Sequence, residues 1–284
     1  PERSKKLISQ ERVKELELFA KEIRKKTLLE IATLGIGHVG GSMSIVEVMA
    51  CLYGEMMRID PDNPKWENRD RFVLSKGHAG PAMYAALALK GYFPEDELLT
   101  LNKPTTNLPS HTDHNKTPGV DMTTGSLGQG ASSAVGIALA CKLKGLDSYT
   151  YCLVGDGECN EGQVWEALMF AANYNLDKFI LLVDKNAKQL DGFTDDCMSL
   201  GDLKGKIEKF GFDVIELQDG HDIAAICNAI VRAKSVEHQP SAIILNTIKA
   251  KDVPAANRVP NNHNMVLSMA DYEEACAYLD GQVA

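Results

Sequence analysis

The chain contains no Cys-x-x-Cys pair. Its seven cysteines (Cys51, Cys141, Cys152, Cys159, Cys197, Cys227 and Cys276) are scattered and odd in number. That pattern argues against a zinc site or a disulfide framework and predicts small core hydrophobes at these positions. Free thiols fit a reducing cytoplasm. Positive charge is also in short supply. Thirty Lys and Arg stand against 39 Asp and Glu, a net charge of −9. Sequence-independent nucleic-acid binding runs on phosphate neutralisation, so that class is excluded. No long hydrophobic run is present either. The uncharged stretch from Met122 to Cys141 is interrupted by Gly125, Gly128, Gly130 and Gly136. It suits a glycine-rich turn leading into a packed helix better than lipid, so no membrane partner is expected. The first thirty residues are charged and helical in pattern, without the apolar core of a signal peptide. No internal repeat or low-complexity linker is visible.

What is present is ordinary globular material: 284 residues, 44% hydrophobic and 24% charged. A chain of this size can bury a core without staples. Apolar residues at three- and four-residue steps predict a long helix over Glu11 to Leu34, stopped by Gly35 and Gly37. A second helix is predicted over Ser44 to Met57, with Ser42 or Ser44 as N-cap. Prolines make 58–69 and 103–121 loops. Strands are predicted at Arg71 to Leu74, Ser148 to Val154, Phe179 to Asp184, Asp213 to Leu217 and Ser241 to Asn246. Helices are predicted at Pro81 to Leu89, Ser126 to Lys144, Glu161 to Asn173, Leu203 to Phe210, Ile223 to Lys234 and Met269 to Leu279. Lys249 to Met265 reads as loop. Strands alternating with helices predict an α/β fold, a doubly wound and mostly parallel sheet. Strands without a polar face mean that both faces are covered. We expect one domain over 1–284, with a helical segment over 1–70 and a loop–helix extension over 249–284.

In such a sheet ligands sit outside the carboxyl ends of the strands. After the Ser148 strand comes Gly155-Asp156-Gly157-Glu158, leading into a helix. The glycines permit close backbone approach, and the helix start offers unpaired N–H groups to an anion. A carboxylate beside a diphosphate makes sense only with a divalent cation between them. The next strand ends at Val183-Asp184-Lys185-Asn186. One crossover brings Asn186 beside Asp156, where its amide oxygen can reach the same ion. Taken alone, Gly-Asp-Gly is also a plain turn.

Gly155-Asp156-Gly157 through Asn186 resembles the thiamine diphosphate-binding motif. Gly37-His38-Val39-Gly40-Gly41-Ser42, Ser75-Lys76-Gly77-His78-Ala79, Pro118-Gly119-Val120 and Thr124-Gly125-Ser126-Leu127-Gly128-Gln129-Gly130 resemble transketolase motifs. So do Glu161-Gly162-Gln163-Val164-Trp165-Glu166-Ala167, Gln189-Leu190-Asp191-Gly192 and Asp219-Gly220-His221-Asp222. The resemblance runs along nearly the whole chain. It is to the N-terminal, diphosphate-binding half of transketolase, as found in split two-subunit enzymes.

That resemblance implies ligation of Mg²⁺ or Ca²⁺ by Asp156, Asn186 and the backbone carbonyl of Lys188. It implies cofactor contacts from His78, Gly125, Leu127, Gly157, Glu158, Asp156 and Asn186. His38 corresponds to a histidine that assists proton transfer at the reacting carbons. His111 and His263 correspond to histidines toward the sugar. The family's Gly-His-Pro is Ser110-His111-Thr112 here, which leaves His114 as a rival, and Asn264 replaces the glycine after His263. Glu161 and Glu166 correspond to acids at a dimer interface between active sites; as sequence they are also plain helix-start and surface acids. The implied activity is transfer of a two-carbon ketol unit from a ketose (phosphate) to an aldose through the thiamine diphosphate ylide. The implied partner is a C-terminal, pyrimidine-binding subunit in an α2β2 assembly. A diphosphate-binding subunit of a 2-oxo-acid dehydrogenase or a deoxyxylulose-phosphate synthase, or a non-catalytic cofactor-binding paralogue, are the alternatives.

Overall fold

The computed structural model describes residues 7–281. Residues 1–6 and 282–284, which the expected 1–284 domain also takes in, lie outside the described residues. At the centre is a five-stranded parallel sheet with strands ordered β2-β3-β4-β6-β5. These strands are β2 (Arg71–Leu74), β3 (Thr150–Gly155), β4 (Phe179–Lys185), β5 (Asp213–Leu217) and β6 (Ser241–Asn246). Alternate residues point to opposite faces, and both faces are apolar. Phe72, Tyr151, Leu182 and Ile243 pack on one side, against α1 (Gln10–Leu34), α3 (Val46–Cys51), α4 (Gly80–Leu89) and α9 (Ile223–Ala233). Val73, Cys152, Val183 and Ile244 pack on the other, under α5 (Gln129–Leu143), α6 (Gly162–Asn173) and α8 (Leu203–Lys209). Each such buried aliphatic side chain contributes about 1.5–3 kcal/mol. The expected doubly wound α/β fold is what the chain forms.

Helix α1 is capped at its start by Ser9, whose side chain accepts from the Arg12 N–H, and closed by Gly35. The expected single helix over Ser44 to Met57 does not form. Instead α2 (Val39–Met43) begins earlier, α3 follows, and a π-helical turn over Leu52–Met56 ends the run. Neither Ser42 nor Ser44 is an N-cap. Ser44 lies between α2 and α3, and its Oγ donates to Asp184 Oδ2 at 2.7 Å. α2 starts early because Gly40 packs against the far end of the chain. Its N–H donates to Asn262 C=O at 2.9 Å, and a Cβ at Gly40 would lie 2.6 Å from that oxygen.

Several short elements escape a periodicity reading. β1 (Ile36–Gly37) pairs antiparallel with β7 (Met265–Val266), closing the N-terminal helices onto the tail. α7 (Thr194–Met198) lies in the segment after β4, and α10 (Met269–Gly281) ends the described chain. The tail expected to be loop also holds a 3-10 turn at Pro254–Arg258. Two cysteines depart from the core reading. Cys197, on the short outer helix α7, is exposed, and Cys276 is half-buried. Among the described residues, no helix is long and apolar enough to cross a membrane.

Glu30 on α1 is fully buried, and neither carboxylate oxygen has a hydrogen-bond partner. Burial pushes its carboxyl well above the usual range, which favours the protonated form in the folded chain. Above its ordinary value the unfolded chain releases that proton and the folded chain keeps it, so stability falls as pH rises. Glu30→Met is expected to stabilise the protein by about 1–3 kcal/mol. The gain in melting temperature is larger at pH 8 than at pH 5; a gain at pH 8 equal to or smaller than that at pH 5 contradicts the assignment.

Candidate active site

The parallel register sets the carboxyl ends of four neighbouring strands side by side. Gly155 lies opposite Asp184, and Lys185 lies opposite Asn246. Above this edge is a cleft of about 290 Å³. It is lined by His38, Lys76, His78, His111, Gly125, Leu127, Asp156, Gly157, Glu158, Asn186, Lys188, Lys249 and His263, among others.

Its floor is a buried polar knot. Lys76, just after β2, reaches Asp184 Oδ2 at 2.5 Å and donates to Gly41 C=O at 2.8 Å. Asp184 is fully buried and also accepts from Ser44, Thr247 and the Asn186 amide. Burial pushes its carboxyl up, but Lys76 beside it prevails and holds it below the usual range. Because Asn186 Nδ2 donates to Asp184 at 2.8 Å, the amide oxygen is turned the other way. Asp156 lies across from it. Burial, and then the nearby Asp184 charge, raise its carboxyl to about 6. Gly157 N–H, Ala187 N–H and Thr194 Oγ1 fix its two oxygens.

This donor set fits a hard divalent cation. It offers a carboxylate, an amide oxygen and the carbonyl of Lys188. The carbonyl already accepts a cation, the Lys249 ammonium at 3.0 Å. Among the described residues, no cluster of three His, Cys, Asp or Glu could cage an ion. The arrangement therefore suits Mg²⁺ or Ca²⁺ completed by ligand phosphate rather than zinc. Gly157 lets the Gln189 side chain pack close against the backbone at the same place, since a Cβ there would meet it at 2.9 Å.

Four histidines form the opposite wall. His38 lies 5.3 Å from His78, 5.4 Å from His111 and 5.4 Å from His263, centre to centre. His78 and His263 are 4.8 Å apart. Burial, then His111, lowers His38 to about 4, and burial, then Lys249, lowers His263 to about 4. His78 falls well below its ordinary value by burial and the Lys76 charge, and burial lowers His111. All four are neutral at pH 7, each with one nitrogen able to donate and one able to accept. His263 Nδ1 is buried without a partner, a polar atom waiting for a ligand. His114, the rival of His111, lies outside the cluster and is exposed.

The sequence profile of the family "Transketolase, thiamine diphosphate binding domain" matches residues 16–279. The chain belongs to that family. A 6-deoxy-6-sulfo-D-fructose transketolase subunit from Clostridium sp. is 51% identical over 270 residues, covering 95% of this chain and 98% of the relative. An apulose-4-phosphate transketolase subunit from Phocaeicola vulgatus is 36% identical, with 93% of each chain covered. Transketolase from Leishmania mexicana shares the fold with a TM-score of 0.87 and 31% identity. The match takes in 97% of this chain but only 42% of that one. The family match and the subunits it resembles over nearly their whole length make this chain a transketolase-type subunit, in a family of transferases, with a thiamine diphosphate-binding domain.

The transketolase-type cleft also holds residues that sequence reasoning missed. In the sequence Lys76 stands only as part of a motif, and Asp184 only as a strand end. A carboxylate closing an all-apolar strand needs a cation, which was the available signal. Lys249, after β6, carried no comparable signal. Burial lowers its ammonium to about 8, with the Lys76 charge adding to the effect. Glu158 lines the cleft but spends its carboxylate internally, on Ser75, Gly128 N–H and Gly155 N–H. It locks the glycine-rich turn to the ends of β2 and β3. Glu161 and Glu166 stand at the start and on the outer face of α6, exposed and away from the cleft.

Lys76→Met strands the Asp184 charge in the interior. A loss of about 3–5 kcal/mol is expected in chemical denaturation. Lys188→Met, in the same cleft but half-exposed, is expected to change stability by less than about 1 kcal/mol. Equal midpoints for the two variants contradict the pairing.

Proposed function

We propose that this chain supplies the diphosphate- and metal-binding half of a two-component transketolase. The enzyme moves a two-carbon ketol unit from a ketose donor to an aldose acceptor. One observation carries the reading: a hard-cation donor set and four clustered histidines share a single cleft at the carboxyl edge of the sheet. Thiamine diphosphate, when bound, supplies the carbanion chemistry that makes and breaks the carbon–carbon bond. This chain's residues do the rest of the work on this side. Asp156, Asn186 and the Lys188 carbonyl would hold Mg²⁺ or Ca²⁺, whose charge would offset that of the diphosphate. His78, Gly157 and Lys249 meet the phosphate oxygens, while Gly125 and Leu127 shape the wall. His38, neutral and at the centre of the cluster, passes a proton to or from the reacting oxygen. His111 and His263 flank it and orient the sugar hydroxyls.

The far wall belongs to a partner. The chain spans about 40% of the solved transketolases that it matches, and three relatives of similar length are named as subunits. A pyrimidine-domain chain in an α2β2 assembly completes the pocket. Glu161 and Glu166, exposed along α6, lie where two copies would meet. The named relatives act on a sulfo-sugar and a sugar phosphate, which supports a donor or acceptor bearing a terminal anion. Seven free thiols, most of them buried, favour a reducing cytoplasm, and the described residues read as one diphosphate-binding domain.

Ketol transfer is expected from the two chains mixed, with a ketose phosphate or a 6-sulfo ketose as donor, and not from this chain alone or with pyruvate. Full activity of the lone chain contradicts the split site. For the cation, Asp156→Ala is expected to weaken thiamine diphosphate binding by about 10–100-fold in Mg²⁺. It is also expected to abolish the Mg²⁺ dependence. Calorimetric titration reads both, and unchanged affinity rejects the metal assignment.

A further inference from the structure

The motif Asp219-Gly220-His221-Asp222 contributes nothing to the lining of the cleft, yet the side chain of half-buried His221 is largely covered and bonded at both ring nitrogens. Ile248 N–H donates to Nε2 at 2.8 Å, and Nδ1 lies 2.9 Å from Glu47 Oε2. An N–H donor facing Nε2 requires a lone pair there, so the hydrogen sits on Nδ1 and donates to Glu47. Glu47 in turn pairs with Arg24, which is almost fully buried. Burial alone would push the Glu47 carboxyl up, but Arg24 and His221 hold it at about 2. Arg24 continues to Lys251 C=O at 3.0 Å and to Asp252 at 3.6 Å.

This relay grips the turn after β6 from both sides. His221 holds Ile248 before Lys249, and Arg24 holds Lys251 and Asp252 after it. Between them, Ala250 N–H donates to Gly40 C=O at 3.0 Å. The turn needs the grip. Ala250 and Asp252 have φ of 59° and 61°, a left-handed conformation that costs energy for residues with a Cβ. The Ile248 side chain is 62% exposed, so apolar packing does not hold the turn there. Held this way, Lys249 is buried, with its ammonium on the carbonyls of Lys188 and Gln189 at 3.0 and 3.1 Å.

We infer that His221 is a positioning residue, which together with Glu47 and Arg24 clamps the strained turn over 247–252 and so aims Lys249 into the cleft. The functional part of this inference rests on reading the cleft as the diphosphate site. Hydrogen exchange of the peptide spanning 247–252 and binding of inorganic pyrophosphate with Mg²⁺, on the full chain, test the two parts separately. His221→Phe is expected to speed exchange locally and to weaken pyrophosphate binding, each by about tenfold. His221→Gln carries an amide nitrogen and oxygen at nearly the spacing of the ring nitrogens and is expected to restore both. Unchanged exchange in His221→Phe overturns the clamp. So does an increase spread evenly over the protein, or a failure of His221→Gln to rescue. If the wild-type chain binds no pyrophosphate, the cofactor reading falls; a local, rescuable exchange change still supports the clamp.

Discussion

The ion pair of Lys76 and Asp184 is the contact on which the site depends. It lies at the carboxyl edge of the sheet with essentially no solvent. A buried pair of this kind adds little net stability, because desolvation offsets most of the attraction. Its value is positional. Lys76 follows β2, Asp184 ends in β4, Thr247 follows β6, and Gly41 and Ser44 belong to the α2–α3 bend. The pair draws these segments to one point. It holds the Ser44 side chain at the α2–α3 bend and turns the Asn186 amide so that its oxygen faces away from Asp184.

The same knot sets the electrostatics of the cleft. Lys76 neutralises Asp184, which leaves Asp156 as a buried carboxylate without a cation of its own. Lys249 stands nearby as a second positive charge, held on two carbonyls. Burial lowers all four histidines, with Lys76 adding to the effect at His78 and Lys249 at His263. A diphosphate with a divalent cation answers each of these conditions: negative charge for Lys249 and the imidazoles, positive charge for Asp156. The wall is thus prepared before ligand arrives, so that little reorganisation is left for the binding step.

Much of this was legible in the sequence, for a physical reason. Strands such as Phe179–Lys185 are buried on both faces, so their apolar runs announce themselves. Residues just past strand ends, such as Asp156 and Asn186, are read from topology alone. What escaped was held by contacts distant in sequence. The bend at Ser44 is tied to Asp184, 140 residues later. Lys249 is placed by His221 and Arg24, from elements that no local pattern links. His111 rather than His114 enters the cluster because of how the 103–121 loop folds, which proline positions do not encode. Glu158, in the middle of the motif, builds the wall by holding three N–H and O–H groups inside it.

The central claim is that this chain is one wall of a metal–diphosphate site. It is tested most directly by crystallising the chain with its partner, thiamine diphosphate and Mn²⁺, and locating the metal by anomalous scattering. The account predicts a single strong peak about 2.1 Å from oxygens of Asp156, Asn186 and the Lys188 carbonyl, with Lys249 turned onto phosphate. A peak elsewhere, or cofactor bound with no metal between it and Asp156, would contradict it.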